Sequence, residues 1–371
     1  MEKKIKVAFV INGFNIGGAE RLYLDLFRHI DQSLYDVHLL TLFEFKDRPD
    51  FYAEIPPNVS VRRFNFGSFA DLREWWRLTF FLYQLKPEVV LSSLFFSNTV
   101  TRLLGIFLSY KSIIVEQNTY INKTKFQILV DRLLSHLAYR IVAVSKTVLD
   151  FTANQENIAK EKFVLIHNAI DLKHIENEIK NFPGPEQYKQ ELGFSKEDKI
   201  VISVGRLVPQ KNHLRLIEGF AEFCRERKEY KLIILGEGGM RKELENKIGE
   251  LKAEKNILLL GLKKNVFPYC LSSEFFVSTS LIEGLSIAQA EALATGLPVL
   301  STKTGGTDEM IQEGVNGYFI NNDTPLEIAT GLIKMTKTQF NREVVKASVL
   351  AYSIEETAKK YSALIKKCLE K

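Results

Sequence analysis

The sequence predicts an α/β protein with two domains, each built on a parallel β-sheet covered by helices. Short apolar segments alternate with helix-length segments along most of the chain, which is the pattern of parallel sheets with crossover helices. The alternation breaks once, in a proline- and charge-rich stretch, and then starts again. The chain has 371 residues, about twice the usual length of one domain, so two domains are expected.

The first half opens with a strand, a glycine loop and a helix. Residues 5–11 are an almost continuous apolar run, as expected of a strand buried on both faces. A glycine loop follows, and residues 19–30 have the spacing of an amphipathic helix. Two more helices are predicted at 73–86 and 126–137. The other strands of this half are predicted at 37–42, 59–63, 89–92, 113–116, 141–144 and 163–166.

A connector is predicted at residues 176–196, where two prolines flank a glycine among many charges. We therefore place the domains at 1–180 and 181–353, with a C-terminal helix at about 354–371 that packs back on the first domain. Strands of the second half are predicted at 200–204, 232–235, 257–260, 275–279, 298–301 and 317–320, and helices at 212–227, 240–251, 287–294 and 307–313. Two sheets facing each other across a cleft would place a ligand at the carboxyl ends of their strands.

Composition and charge exclude several classes of protein. Hydrophobic residues make up 46% and charged residues 26%, which excludes global disorder. A net charge of +5 is too small for recognition of nucleic acid by charge alone, but it is compatible with an anionic substrate or lipid surface. The three cysteines have no paired spacing, which disfavours disulfides and zinc sites. Without a signal peptide or membrane span in the sequence, we expect a cytoplasmic protein.

The glycine loop at residues 12–20 is the first candidate binding segment. Gly17 and Gly18 permit close backbone approach, and free amides at a helix start attract anions, so a phosphate or sugar could bind here. The loop lacks the G-x-G-x-x-G dinucleotide fingerprint, which disfavours an oxidoreductase. A tight turn without a ligand is the alternative interpretation.

The segment 203–212 follows a buried strand and carries two cations, Arg206 and Lys211. Both side chains would lie at the carboxyl end of that strand. There they could neutralise a diphosphate, the arginine as a two-pronged donor and the lysine as a point charge. Two solvated loop cations are the alternative.

The segment 280–294 combines two carboxylates with a helix start. Glu283 precedes a glycine turn, Ser286 suits the N-cap position, and Glu291 lies inside the helix, about 7 Å along its axis from Ser286. A diphosphate at this N-terminus would be flanked by carboxylates that accept hydrogen bonds from sugar hydroxyls. A capped amphipathic helix with an exposed glutamate is the alternative.

Five segments occur together in a characteristic order and spacing. They are GGAE at 17–20, VGRLVPQKN at 204–212, LIILGEGGMRKELE at 232–245, ILLLGL at 257–262 and EGLSIAQAEALATGLPVLSTKTGGTDEMI at 283–311. In this arrangement the chain resembles glycosyltransferase family 4, the retaining nucleotide-sugar transferases of GT-B fold. The resemblance covers essentially the whole chain, and Glu283 and Glu291 match its E-x7-E element.

This resemblance implies specific roles in binding a nucleotide-sugar donor in the C-terminal domain. Arg206 and Lys211 match the cations of the donor diphosphate, Glu283 the glutamate that meets the transferred sugar, and Glu291 the glutamate on the ribose hydroxyls. The other implied donor-binding positions are Gly205, Gly284, Leu285, Ser286 and Ile287 around the phosphates, Gly261 and Leu262 beside the nucleobase, and Gly17 and Gly18 from the N-terminal, acceptor-side domain.

One position departs from the family pattern. Many members carry a histidine in an E-H-N or similar segment after an N-domain strand, whereas residues 115–118 here read VEQN. Gln117 can donate a hydrogen bond to the sugar or phosphate but carries no charge. It remains a catalytic candidate beside Arg206, Lys211 and Glu283, with its role open.

The sequence contains no D-x-D motif and no His/Asp cluster with ligand spacing, so we expect no metal and no other cofactor. Protein cations and the helix start near Ser286 would instead stabilise the charge that grows on the leaving diphosphate. The family retains the anomeric configuration, by same-face attack in which the leaving phosphate oxygen takes the acceptor proton. No side-chain base is needed for this reaction.

Residues 61–140 combine basic and aromatic side chains. They contain 11 Lys and Arg against 5 Asp and Glu, a net +6. Such a segment suits docking on an anionic membrane that presents a lipid-linked acceptor, so we expect peripheral attachment to the inner face of the cytoplasmic membrane. An aromatic core with a solvated cationic face is the alternative. The aromatic residues are Phe64, Phe66, Phe69, Trp75, Trp76, Phe80, Phe81 and Tyr83.

The expected activity is transfer of a hexose or N-acetylhexosamine from a nucleotide sugar to a lipid-linked oligosaccharide or polysaccharide precursor. Segments 164–172, 232–238 and 256–262 are similar to bacterial N-acetylgalactosaminyltransferases acting on polyprenyl-diphosphate-linked glycans, which makes UDP-GalNAc a candidate donor. Two other functions stay open. One is a non-catalytic subunit that binds a glycan or nucleotide, and the other is a sugar-nucleotide epimerase of the same fold.

Overall fold

The computed structural model describes residues 3–45 and 48–370, and its chain separates into two units. The first unit extends to Ala169 and takes in the C-terminal segment from Ile354, whereas the second unit is Ile170–Ser353. Each unit has its own parallel sheet. The predicted fold class, two Rossmann-like α/β domains, is confirmed.

The first unit is built on a seven-stranded sheet of order β3-β2-β1-β4-β5-β6-β7. Its central strand β1 reads IKVAFVI and is buried from its third residue onward, because helices cover both faces. The strands are β1 (Ile5–Ile11), β2 (Tyr35–Thr41), β3 (Ser60–Arg63), β4 (Val89–Ser93), β5 (Lys111–Glu116), β6 (Ala138–Ala143) and β7 (Phe163–Leu165). The helices are α1 (Gly18–His29), α2 (Leu72–Leu85), α3 (Phe95–Leu104), α4 (Lys125–Leu134) and α5 (Lys146–Glu156).

Local sequence signals start several of these helices. The Asp71 carboxylate accepts a hydrogen bond from the Glu74 amide at the start of α2, and Thr124 and Gln127 form a reciprocal capping box at the start of α4. The chain then crosses the sheet from β3 to β4, β5 and β6 in one direction. Right-handed crossovers therefore place α2, α3 and α4 on the same face.

The second unit is built on a six-stranded sheet of order β10-β9-β8-β11-β12-β13. Its strands are β8 (Lys199–Val204), β9 (Tyr230–Leu235), β10 (Ile257–Gly261), β11 (Ser273–Ser278), β12 (Val299–Thr302) and β13 (Gly317–Ile320). Its helices are α6 (Leu172–Lys180), α7 (Pro185–Glu191), α8 (His213–Cys224), α9 (Arg241–Glu250), α10 (Phe267–Leu271), α11 (Ile287–Ala294), α12 (Thr307–Met310), α13 (Pro325–Lys337) and α14 (Arg342–Ala347).

Helices α8 and α13 pack against each other at a glycine. A Cβ at Gly219 would lie 2.6 Å from the Cβ of Ile328, so only glycine allows this close approach. The last helix, α15 (Ile354–Leu369), returns to the first unit. There the Tyr35 hydroxyl lies 2.7 Å from the Ser362 hydroxyl.

The stretch expected to be a connector is helical. Asp171 caps α6 through the His174 amide, and Pro185 occupies the first turn of α7, where its missing N–H costs nothing. Helix α6 belongs to the second unit because the His174 ring packs edge-on against Phe267 and Asn265 donates to the Glu178 carboxylate. The division therefore falls between Ala169 and Ile170, ahead of the expected 180/181 limit.

Candidate active site

The loop after β8 carries Arg206 and Lys211 at the carboxyl end of its strand. Its backbone is fixed by the neighbouring loop, since Gly205 N donates to Leu235 O and Leu207 N donates to Glu237 O, both at 2.9 Å. Leu207 is fully buried and anchors the loop in the core of the second unit. The Arg206 side chain is exposed, and no described residue forms an ion pair with its guanidinium.

Lys211 forms an ion pair with Glu283. The Lys211 Nζ lies 2.5 Å from Glu283 Oε1, and the two side chains are 18% and 10% exposed. The aliphatic stem of the lysine passes over Gly205, where a Cβ would lie 3.3 Å from Lys211 Cδ. The structure therefore brings Glu283 into contact with a lysine that lies 72 residues away in the sequence.

Backbone hydrogen bonds tie the two loops of this ion pair together. Leu281 N donates to Gln210 O at 2.8 Å, and the Gln210 side-chain amide donates to Ile282 O at 2.7 Å. The Thr279 hydroxyl donates to Asn212 O at 3.0 Å. Because these contacts lie on both sides of Lys211, the ammonium and the Glu283 carboxylate are held in a fixed relation.

A second glycine loop supports the turn at Glu283 and Gly284. Gly306 N donates to Gly284 O at 2.6 Å. Gly305 has φ +53°, and a Cβ there would lie 2.1 Å from Glu283 O. The segment TGG at 304–306 is thus packed directly against the backbone of Glu283 and Gly284, which explains why a glycine occurs at position 305.

Helix α11 begins immediately after this turn. Ser286 occupies the N-cap position, but its hydroxyl makes no capping hydrogen bond, so the expected serine cap is not formed. Leu285 and Ser286 are buried, and Ile287 is half-buried. Glu291 is half-buried in the middle of α11. Gln289, on the same helix, donates to the Ser301 hydroxyl at 3.0 Å and fixes the helix on β12.

The end of β10 lies beside the loop after β9. Gly236 N donates to Gly261 O at 2.9 Å, and Leu262 follows at the strand end. Gly261 has φ +73°, and a Cβ there would approach Glu237 Oε1 to 3.0 Å. Glu237 pairs with Arg241 at 2.8 Å. Glu237 and Arg241 both lie in the LIILGEGGMRKELE motif, which predicted no role for either.

His213 is buried beneath the Arg206–Lys211 loop. Burial, and secondarily the Lys211 ammonium, lower the pKa of the His213 imidazole to about 4. The ring is therefore neutral at physiological pH. The six histidines are scattered along the sequence, and no pattern distinguishes His213 from the others.

The other site residues lie in the first unit, at the carboxyl edge of its sheet. Gly17 is the N-cap of α1, and a Cβ there would lie 2.4 Å from the Glu20 carboxylate; Gly18 is the first residue of α1. Asn12 Oδ1 accepts from both the amide and the hydroxyl of Ser97. These bonds tie the glycine loop to α3.

Gln117 follows β5 at the same sheet edge. Its side-chain nitrogen is buried and has no hydrogen-bond partner among the described residues. A buried amide without a partner is costly, so this nitrogen is suited to donate to a ligand. The position agrees with a substrate-contacting role.

A buried charge network supports the segment that carries Gln117. Lys123 Nζ lies 2.8 Å from Asp131, 2.5 Å from Glu156 and 4.0 Å from Glu116. Arg102 also pairs with Asp131. Burial, followed by the neighbouring Glu116, raises the pKa of Glu156 to about 8. Burial likewise raises the pKa of Glu116. Sequence analysis did not find this network.

Some aromatic residues of segment 61–140 lie in the core, and others are exposed. Phe64 and Phe66 are buried in the core, with Trp75 and Phe81 packed against it. Phe69, Trp76, Phe80 and Tyr83 are exposed, and the rings of Trp76 and Phe80 stack with centroids 5.3 Å apart. The predicted core and the predicted exposed surface therefore both exist.

Within residues 3–45 and 48–370, no group of three or more His, Cys, Asp or Glu side chains could hold a metal ion. No helix in the same range is both long and apolar enough to span a membrane.

Two family models match the chain. The model described as Glycosyl transferases group 1 matches residues 185–350, and the model described as Glycosyltransferase Family 4 matches residues 16–174. These ranges contain every candidate catalytic and donor-binding residue named above. They also correspond closely to the second and first units.

A Campylobacter jejuni protein named N-acetylgalactosamine-N,N'-diacetylbacillosaminyl-diphospho-undecaprenol 4-alpha-N-acetylgalactosaminyltransferase is 32% identical over 229 residues. The match covers 60% of this chain and 59% of the length of that relative, so the chain spans less than two thirds of it.

Solved structures show the same fold over the whole chain. A glycosyltransferase from Rickettsia africae has a TM-score of 0.83 at 16% identity, with 99% of each chain covered. Anabaena HepE in complex with UDP has a TM-score of 0.79 at 18% identity, covering 98% of this chain and 100% of that chain. These structures show the GT-B fold, and the two family models, which together match residues 16–174 and 185–350, show that the chain belongs to glycosyltransferase family 4.

Proposed function

We propose that the protein is a retaining glycosyltransferase that moves a hexose or N-acetylhexosamine from a nucleotide sugar to a lipid-linked glycan precursor. The observation that carries this proposal is the group formed by Arg206, Lys211 and Glu283. An exposed arginine lies in the same loop as a lysine that contacts a carboxylate, in front of the start of α11. This group combines cations for a diphosphate with an acceptor for sugar hydroxyls.

Charge development explains how these residues would accelerate transfer. When the bond between the sugar anomeric carbon and the diphosphate breaks, negative charge grows on the leaving oxygen. Arg206, Lys211 and the amides at the start of α11 stabilise that charge more in the transition state than in the ground state. The acceptor hydroxyl forms the new bond on the same face of the sugar, and its proton passes to the leaving phosphate oxygen.

The remaining donor contacts follow from the same alignment of motifs. Glu283 binds the transferred sugar and Glu291 the ribose hydroxyls, with Gly261 and Leu262 beside the nucleobase. UDP-GalNAc is the first donor to test, because the Campylobacter relative is named for transfer of N-acetylgalactosamine and the Anabaena structure is a UDP complex. We also propose that the side-chain cations act without a metal ion or other cofactor.

The acceptor is proposed to be lipid-linked and reached from the membrane surface. Large apolar side chains are exposed along α2, including Leu72 at 80% and Trp76 at 66%. Helix α4 likewise exposes Phe126, Leu129 and Leu133. Both helices lie on one face of the sheet, and we propose that their exposed apolar side chains contact the membrane together. We call this set of side chains the α2–α4 surface.

The charge of the α2–α4 surface favours an anionic bilayer. The acidic residues of these helices, Glu74 and Asp131, are buried in ion pairs with Arg77 and with Arg102 and Lys123. Exposed cations remain on both helices, Arg73 on α2 and Lys125 and Arg132 on α4. Cations around apolar side chains suit peripheral binding to the inner face of the cytoplasmic membrane.

Gln117 is the reason to keep a non-catalytic binding subunit as a second candidate, because it carries no charge where many family members have histidine. A sugar-nucleotide epimerase remains a third. The three activities differ in products. A transferase releases nucleotide rapidly only with an acceptor, an epimerase converts the donor alone, and a binding subunit does neither.

The test is a thermal-shift screen of UDP-, GDP- and dTDP-sugars, followed by turnover with extracted polyprenyl-diphosphate glycans, with and without EDTA. Stabilisation by a UDP-sugar and EDTA-resistant transfer are expected. Lys211→Ala should lower the rate by about 100-fold. The control Lys255→Ala removes an exposed cation of the same unit. Full activity in Lys211→Ala would remove the proposed role of the loop.

A further inference from the structure

A cavity of about 220 Å³ lies at the carboxyl edge of the first unit's sheet. Its lining comes from three neighbouring strands: Asn15 follows β1, Phe43, Glu44 and Phe45 follow β2, and Arg63 ends β3. Asp50 and Tyr52 come from the connection between β2 and β3. Ligands of parallel α/β sheets bind at this edge.

Hydrogen bonds give the cavity a defined frame. Ile16 N donates to Pro49 O at 3.0 Å, and Phe51 N donates to Phe14 O at 3.1 Å. The Asn15 side-chain amide adds a bond to Arg48 O at 3.2 Å. The loop after β1 and the β2–β3 connection are therefore joined along one wall.

Aromatic rings supply the apolar faces of the cavity. Phe43 and Phe45 lie with ring centroids 6.2 Å apart, and Phe45 packs so closely on Gly13 that a Cβ there would lie 2.7 Å from the ring. On the other side, the Arg63 guanidinium lies over the Tyr52 ring, 3.6 Å from its centroid. The Tyr52 hydroxyl donates to Thr41, which fixes its orientation.

The lining is suited to a neutral sugar ring. Glu44 and Asp50 can accept hydrogen bonds from hydroxyls, Arg63 can donate to them, and aromatic faces can pack on the C–H face of a pyranose. Among the described residues, Glu44 and Asp50 are balanced by Arg63 and by Arg48, whose guanidinium lies 5.0 Å from the Phe45 ring centroid, so the cavity offers a diphosphate no excess of cations. The volume is below the ~300–1,000 Å³ of pockets for drug-sized ligands, which is appropriate for one sugar ring and too small for a nucleotide.

We infer that this cavity is the subsite for the terminal sugar of the acceptor glycan. The inference rests on the proposed function, in which the diphosphate cations and both donor carboxylates belong to the other unit. A transferase has one further substrate, and this cavity has the chemistry to hold its sugar end. Glu44, Asp50 and Arg63 then determine which acceptor is used.

The first test is direct binding to the full-length protein, measured by saturation-transfer NMR with methyl glycosides of GlcNAc and GalNAc. Binding to the wild type is expected, with a loss of at least about tenfold in affinity in Glu44→Gln/Asp50→Asn. Asp36→Asn is the matched control, because Asp36 lies at the opposite end of β2. No binding to the wild type, or equal binding to the double variant, would overturn the subsite.

The second test separates this inference from the proposed function. With a short polyprenyl-diphosphate N-acetylhexosamine as acceptor, the double variant should raise the acceptor KM at least tenfold, while the donor KM and slow donor hydrolysis stay unchanged. An unchanged acceptor KM in an active enzyme rejects the subsite alone. Absence of any turnover by the wild type with donor and acceptor panels rejects the proposed function, and the NMR result then still decides whether the cavity binds sugars.

Discussion

The ammonium of Lys211 lies 2.5 Å from a carboxylate oxygen of Glu283, and this pair connects the loop after β8 with the loop before α11. An ammonium has three N–H donors and Glu283 engages one of them, so donors remain for phosphate oxygens. The same carboxylate keeps a second oxygen for a sugar hydroxyl. One ion pair can therefore position both halves of a nucleotide sugar.

Lys211 and Glu283 should stabilise the fold together, in addition to their proposed role in transfer. Lys211→Met leaves a mostly buried carboxylate without its cation and should lower the free energy of unfolding by about 1–3 kcal/mol. Adding Glu283→Gln should restore part of that loss, because no uncompensated charge remains. Urea unfolding of the two single variants and the double variant measures the coupling. Transfer should be lost in all three, and additive unfolding effects would contradict the pairing.

Two glycines of the site should respond differently to alanine. At Gly205 the added Cβ meets only the flexible stem of Lys211 at 3.3 Å, so stability should change by less than about 0.5 kcal/mol while the displaced ammonium lowers kcat. At Gly236, with φ +150°, the Cβ would lie 1.9 Å from Gly205 O. Gly236→Ala should therefore cost about 2 kcal/mol or more. Thermal unfolding and kcat distinguish them; equal stability of both variants would refute the argument.

Sequence reasoning predicted the parts of this protein that depend on local pattern. The apolar run 5–11 is β1, and the segment 287–294 is α11 at its predicted limits. The charge network at Lys123 could not be predicted from the sequence. Its members Arg102, Asp131 and Glu156 come from three different helices and meet only after folding. Composition also misled at 176–196, where Pro185, one of the two prolines that suggested a linker, instead begins helix α7.

His213 should make stability depend on pH in the acidic range. Its folded pKa of about 4 is below the unfolded value of 6.5, so between these values the unfolded chain binds a proton that the folded protein excludes. Stability therefore falls as pH decreases from 6.5 to 4, by about 1 kcal/mol per pH unit. His213→Gln should show a shallower slope in urea unfolding between pH 7 and 4.5. Parallel slopes for the two proteins would show that His213 does not carry the effect.

The α2–α4 surface should bind anionic vesicles in a salt-dependent way. Trp76→Ala/Phe80→Ala removes apolar area, and Arg132→Gln removes a cation worth about 1 kcal/mol near an anionic surface. Both changes should reduce sedimentation with phosphatidylglycerol-containing vesicles at low salt, and pure phosphatidylcholine should bind weakly. Leu326→Ala, a similarly exposed apolar position in the second unit, is the control. Equal sedimentation of all variants would exclude this surface as the membrane contact.

Glu156 should also make stability depend on pH, but in the direction opposite to that of His213: stability should fall as pH rises toward 8. The network holds three carboxylates, Glu116, Asp131 and Glu156, against two cations, Arg102 and Lys123. The folded pKa of Glu156, about 8, is above its ordinary value of 4.5, so the folded protein keeps a proton that the unfolded chain has lost. Stability present below pH 4.5 is therefore lost as pH rises to 8, by about 1 kcal/mol per pH unit.

Glu156→Gln should remove this dependence, because glutamine is neutral at every pH and its side-chain oxygen can still accept a hydrogen bond from Lys123. The variant should match the wild type in urea unfolding at pH 5 and exceed it at pH 8.5. Glu161→Gln, an exposed glutamate of the same unit, should follow the wild type throughout. If the wild type and Glu156→Gln lose stability equally between pH 5 and 8.5, Glu156 is ionised in the folded protein. Lys123 would then hold three charged carboxylates beneath the segment that carries Gln117.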